Sequence, residues 1–138
     1  MRDLPSVAGL SLTLLCCGLL LAPPAMAQPS KPGEQVYREV CVVCHAAGVA
    51  NAPKFGDKKA WTPLIAEGQA VLTAHAWVGV RGMPAKGGNP QLSLDEFSRA
   101  AAYMARAAGG NWKDPDAKML AAIKAEEKKR IASLNTKK

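Results

Sequence analysis

Val36, Tyr37 and Val40 recur at three- and four-residue intervals, while Glu34, Gln35, Arg38 and Glu39 take the opposite face. That spacing predicts an amphipathic helix from near Gly33 into Cys41. Gly48, Asn51 and Pro53 break the pattern between residues 46 and 56, which reads as a loop. Short helices come next over 57–65, with Pro63 limiting the first, and over 69–80. Gly79, Gly82, Pro84, Gly87, Gly88 and Pro90 then predict a long irregular segment. Ser93 with Glu96 forms a Ser-x-x-Glu capping box that opens another helix, lined on one face by Leu94, Phe97, Ala101 and Met104 and stopped by Gly109-Gly110.

The two ends of the chain differ from this middle. Residues 1–27 read as a cleaved export signal: Arg2 precedes an apolar stretch from Val7 to Leu21, and Ala25-Met26-Ala27 supplies the small residues of a cleavage site. The stretch is about 15 residues, against ~20 for a bilayer span, which disfavours an uncleaved anchor. Cys16 and Cys17 follow Leu15 rather than a small residue, which disfavours a lipoprotein. Residues 28–32, rich in Pro and Ser, read as a flexible leader. Residues 111–138 form a basic tail in which Leu120, Ile123, Ile131 and Leu134 can share a helical stripe that Glu127 interrupts. An exposed or partner-binding helix is expected there rather than a membrane attachment, because the stripe is narrow.

Arg2 and Asp3 are the only charged residues of the signal, so the formal charge of +7 belongs to residues 28–138. A basic balance suits an acidic partner surface or an anionic membrane, and an exported chain is a poor candidate for nucleic acid. With Cys16 and Cys17 removed, only Cys41 and Cys44 remain, too close together to staple a small domain.

Those two cysteines carry the chemistry. Cys41-Val42-Val43-Cys44-His45 is the Cys-x-x-Cys-His signal for covalent haem c, whose vinyl groups take the thiols while the adjacent imidazole ligates iron. A zinc site wants four Cys or His ligands, and beyond the signal the chain offers only Cys41, Cys44, His45 and His75. A thioredoxin-like dithiol lacks its strand-helix context. For the second axial position Met83 is the candidate, in the loop Arg81-Gly82-Met83-Pro84-Ala85-Lys86-Gly87-Gly88, where little side-chain bulk flanks it and Pro84 restricts its backbone. Met104 reads as a core residue, Met119 belongs to the tail, and His75 reads as a satisfied or exposed helix residue. His/Met ligation raises the potential relative to two histidines, and a closed coordination sphere argues against oxygen activation.

With these residues the chain resembles a class I cytochrome c, most of all the bacterial cytochrome c5 subgroup. The resemblance covers Gly33 to Gly109 and rests on Gly33-Glu34-Gln35-Val36-Tyr37, the haem motif, Asn51-Ala52-Pro53-Lys54-Phe55-Gly56-Asp57, Trp61, Gly82-Met83-Pro84-Ala85-Lys86-Gly87-Gly88 and Ala102-Tyr103-Met104. It implies an all-α fold around one covalently attached haem in residues 33–110, with the tail as an extension. It also implies crossed first and last helices, with Gly33 and Tyr37 packed near Tyr103. The Pro53 carbonyl would accept a hydrogen bond from His45, and Trp61 would either donate to a haem propionate or serve as plain core. Many cytochromes c5 carry a further cysteine pair after the Gly-Gly, where this chain has Asn89 and Leu92.

The implied function is an exported, periplasmic carrier of single electrons, not an enzyme, with the haem-site residues Cys41, Cys44, His45, Met83, Pro53 and Trp61. Its partners would be redox proteins, among them a membrane-associated oxidase, reductase or catalytic subunit. Lys54, Lys58, Lys59, Arg81 and Lys86 flank the haem loops, as an acidic docking partner or an ordinary solvated surface would each require. The rival readings are an electron-accepting subunit of a periplasmic oxidoreductase, such as a sulfur-oxidising complex, and a gas-binding sensor with an open sixth site.

Overall fold

A computed structural model describes residues 29–136, so the expected signal peptide and its cleavage site lie outside the described residues. The first helix, α1, is built from three consecutive stretches, Gly33–Val36, a π turn at Tyr37–Cys41, and Val42–His45. After it come α2 (Lys58–Ala66), α3 (Gln69–Val78), α4 (Leu94–Ala107) and α5 (Ala117–Asn135). Short 3-10 turns stand at Val49–Asn51 and Ala85–Gly88. Among the described residues the only extended pairing is an isolated bridge between Val80 and Met83.

Local chemistry explains the ends of these helices. The Ser93 hydroxyl accepts from the Glu96 amide at 3.2 Å while the Glu96 carboxylate accepts from the Ser93 amide at 3.1 Å, the reciprocal box expected from the sequence. Asp57 caps α2 through the Ala60 amide, and Asp116 caps α5 through the Met119 amide at 2.7 Å. α2 continues past Pro63 to Ala66, one residue beyond expectation. Pro63 lies on the exposed side of that helix, where the carbonyl it leaves unpaired can meet water.

α1 and α4 cross at contact distance because Gly33 has no side chain: a Cβ there would lie 2.2 Å from the Arg99 carbonyl oxygen. Around the crossing, the Tyr37 ring lies 4.5 Å from Phe55 and 5.7 Å from Tyr103. Val36, Tyr37, Cys41, Trp61, Leu92, Phe97, Ala100, Met104 and Ala108 form the main core. Met104 is thus the core methionine that its helix face implies.

The tail is not an exposed appendage. α5 packs along α3 with Ile123 fully buried, and Trp112 is buried against Ala102 and Ala105 of α4. Asp114 clamps the connecting segment to α4 through Arg99 at 3.3 Å and Arg106 at 3.1 Å. Glu127 falls on the docked side because its carboxylate accepts the Trp77 indole N–H at 3.0 Å. The stripe therefore passes through the residue that interrupts it in sequence, while Ile131 and Leu134 stay exposed.

Candidate haem site

α1 presents Cys41, Cys44 and His45 along little more than one turn of its C-terminal half. Both thiols are free rather than joined to each other. Burial pushes the Cys41 thiol up to about 11, so it is a neutral group in an apolar setting. Cys44 is half-buried, and Val43 between them is exposed. Two free thiols and a histidine on one helical run fit the chemistry of haem c. Among the described residues no three His, Cys, Asp or Glu side chains converge as a metal-binding group, which a structural zinc would need.

His45 is buried, and its Nδ1 lies 2.8 Å from the Pro53 carbonyl oxygen. A carbonyl can only accept, so Nδ1 carries the proton and Nε2 keeps its lone pair for a metal. The Phe55 amide donates to the His45 carbonyl at 2.7 Å, tying the loop back to the helix a second time. This loop needs left-handed backbone at Gly48, Ala50 and Asn51. The resemblance anticipated the Pro53 carbonyl; the Phe55 tie involves backbone groups alone and leaves no mark in the sequence.

Trp61 is buried in the core, its ring centroid 6.2 Å from that of His45. Its single indole N–H donates to the Lys54 carbonyl at 2.8 Å. The donor that a haem propionate would require is therefore engaged by backbone, and Trp61 acts here as a wall beside His45 that also pins the 52–57 loop.

Met83 is half-buried and packs against the same cluster as Cys41 and Trp61. Its loop is drawn tight by reciprocal backbone bonds between Val80 and Met83, at 3.1 and 2.9 Å, around Arg81 and Gly82. Gly82 is required there, since a Cβ would lie 2.9 Å from that of Ala50 in the loop after the haem motif. The next turn runs through Lys86 and Gly87 in left-handed conformation and lies close to α1, where a Cβ on Gly87 would come 3.4 Å from the Val40 side chain. Where the resemblance would place a disulfide, Leu92 is buried in the core and the Asn89 carboxamide oxygen accepts from the Gln91 amide. His75 stands on the half-exposed side of α3, 3.8 Å from Glu67, away from this assembly.

A helix carrying two thiols and an oriented imidazole, crossed by α4, with a methionine loop packed against the same core, defines a class I cytochrome c. The comparisons agree, and the chain belongs to the cytochrome c family: residues 28–104 match the family model described as Cytochrome C oxidase, cbb3-type, subunit III. It is 40% identical to cytochrome c-555 of Chlorobaculum tepidum, over 68% of this chain and 91% of that protein. To cytochrome c-555 of Chlorobaculum thiosulfatiphilum it is 46% identical, over 52% and 88%. The cytochrome c5 of Azotobacter vinelandii is 38% identical over 54% and 93%. Among solved structures, a chain from the crystal structure of the electron transfer complex of nitrite reductase with cytochrome c aligns with a TM-score of 0.54 and 48% identity, covering 58% of this chain and 99% of that one. The cofactor of this family is covalently bound haem c, and the thiols and imidazole described above fit it.

Proposed function

We propose that this chain is an exported monohaem electron carrier in which Cys41 and Cys44 hold the haem covalently and His45 and Met83 ligate its iron. The observation that carries the reading is the 2.8 Å contact from His45 Nδ1 to the Pro53 carbonyl, which leaves Nε2 as the ligating nitrogen and fixes the ring plane. Bound haem c supplies a one-electron iron couple. The chain's own contribution would be the apolar core to which Cys41, Trp61 and Met83 belong, which would keep water from that couple, and two axial side chains that would leave no coordination site open, so that electrons pass while substrates do not bind. Support for Met83 over Met104 is burial and placement: Met104 sits in the body of α4, whereas Met83 is offered by a loop.

The compartment is the periplasm, and redox proteins are the partners. Among the described residues no helix is long and apolar enough to cross a membrane. The structural neighbour in complex with a nitrite reductase supports a protein partner. Lys54, Lys58, Lys59 and Arg81 are exposed, and among the described residues neither these four nor Lys86 makes an ion pair, which supports an acidic docking surface.

A redox titration of the purified protein monitored by visible spectroscopy tests the ligation. The ferric protein should show the weak far-red band of sulfur-ligated iron, Met83→Ala should abolish it, and the reduced wild type should ignore carbon monoxide. A far-red band retained in Met83→Ala, or carbon monoxide binding by the wild type, would overturn the assignment.

A further inference from the structure

We propose that the C-terminal helix is a positioning element for the Met83 loop, acting through Glu127, Trp77 and Lys86. The chain of contacts is continuous. Glu127 of α5 accepts the Trp77 indole N–H at 3.0 Å, which fixes the rotation of that ring at the C-terminal end of α3. One face of the fixed ring receives Lys86, whose Nζ lies 4.9 Å from the ring centroid. The Phe97 ring meets Trp77 edge-on at 5.3 Å and walls the half-buried indole on that side.

Lys86 stands three residues after Met83 and holds a left-handed backbone, φ 54°, that a residue with a Cβ rarely adopts. Such a conformation persists only where surrounding contacts over-determine it. Backbone bonds from Gly87 to Pro84 and from Asn89 to Lys86 close the turn, the Lys86 ammonium also reaches the Pro90 carbonyl at 3.4 Å, and the contact with Trp77, backed by Glu127, is the one that ties this turn to the rest of the fold. A cation on the ring face and an anion on its N–H edge polarise the indole in the same sense, so each contact strengthens the other. The tail thereby supplies the brace for a loop that has no disulfide.

The proposal rests on Met83 being the ligand, and the experiment separates the two. Full-length holoprotein is compared as wild type, Glu127→Ala, Glu127→Gln, Trp77→Phe and Asp116→Ala. The last removes the α5 cap without touching Trp77. Two readouts are taken: the rate at which imidazole displaces the sulfur ligand of the ferric protein, and hydrogen exchange at the amides of Val80, Met83, Gly87 and Asn89. Glu127→Ala and Trp77→Phe should raise both roughly tenfold, the loss of one charge-assisted hydrogen bond. Glu127→Gln keeps an acceptor and should fall between them and wild type. Asp116→Ala should lower thermal stability and leave the loop amides unchanged.

Loop amides that do not respond to Glu127→Ala, or respond equally to Asp116→Ala, overturn the brace. If the wild type lacks the sulfur–iron band while the loop amides respond as described, Met83 ligation fails and the brace stands.

Discussion

At the residue scale, the determinants of the site are side chains with one chemical option and glycines with one spatial option. Gly33 is the sharper case, because the Arg99 carbonyl occupies the place of its missing Cβ. Gly33→Ala should destabilise the protein by about 3 kcal/mol through forced separation of α1 and α4; chemical denaturation of the holoprotein measures it, and a loss below ~0.5 kcal/mol would mean the helices part without strain. What could be read from single residues was the haem pentapeptide, since its five positions are contiguous and each has a chemical duty. The engagement of Trp61 by Lys54 was not legible. A backbone carbonyl is common to every residue, so its choice as acceptor depends on the turn of the loop rather than on the lysine.

At the scale of elements, the capping box of α4 was legible in full because all its partners lie within four residues. Ser93→Ala should cost about 1 kcal/mol, measurable by thermal or chemical melting. The bond from the Ser93 amide, foremost, and the Ser93 hydroxyl hold the Glu96 carboxyl below its ordinary 4.5, against some desolvation. A carboxyl depressed in the folded state stabilises above its unfolded pKa, and that contribution is lost as pH falls through the folded value. The stability difference between wild type and Glu96→Gln should accordingly be present at neutral pH and close as acid protonates Glu96; a pH-independent difference would refute this. The π turn of α1 was not legible. The Val42 amide reaches back five residues to the Tyr37 carbonyl, and the apolar spacing of Val36, Tyr37 and Val40 suits a four-residue repeat equally well.

Across the whole molecule, the sequence misleads about the tail for a definite reason. Glu127 breaks an apolar stripe when the helix is considered alone and completes the interface once Trp77 is opposite it, 50 residues away. Trp112 is the other anchor, 7% exposed. Trp112→Ala should cost about 3 kcal/mol, read by denaturant midpoint, and a surface-like loss of a few tenths would show that the tail detaches freely. The charge of the molecule makes a separate prediction. With +7 overall, electron-transfer rates with an acidic partner should fall between about 0.01 and 0.15 M salt, as the screening length contracts from ~30 to ~8 Å; stopped-flow rates that stay flat would exclude steering.

The distance in sequence between Trp77 and Glu127 also sets an order of events in time. A ribosome adding 5–20 residues each second makes Glu127 roughly 2.5 to 10 s after Trp77. For that interval the thiols of α1 and the methionine loop exist without the segment that closes over α3. In a chain that is exported before it folds, the same spacing sets the order in which the segments reach the far side: the haem-attaching thiols and the methionine loop arrive before the helix that covers α3. A chain cut short before Ala117 would keep the attachment motif while lacking the helix that packs on α3.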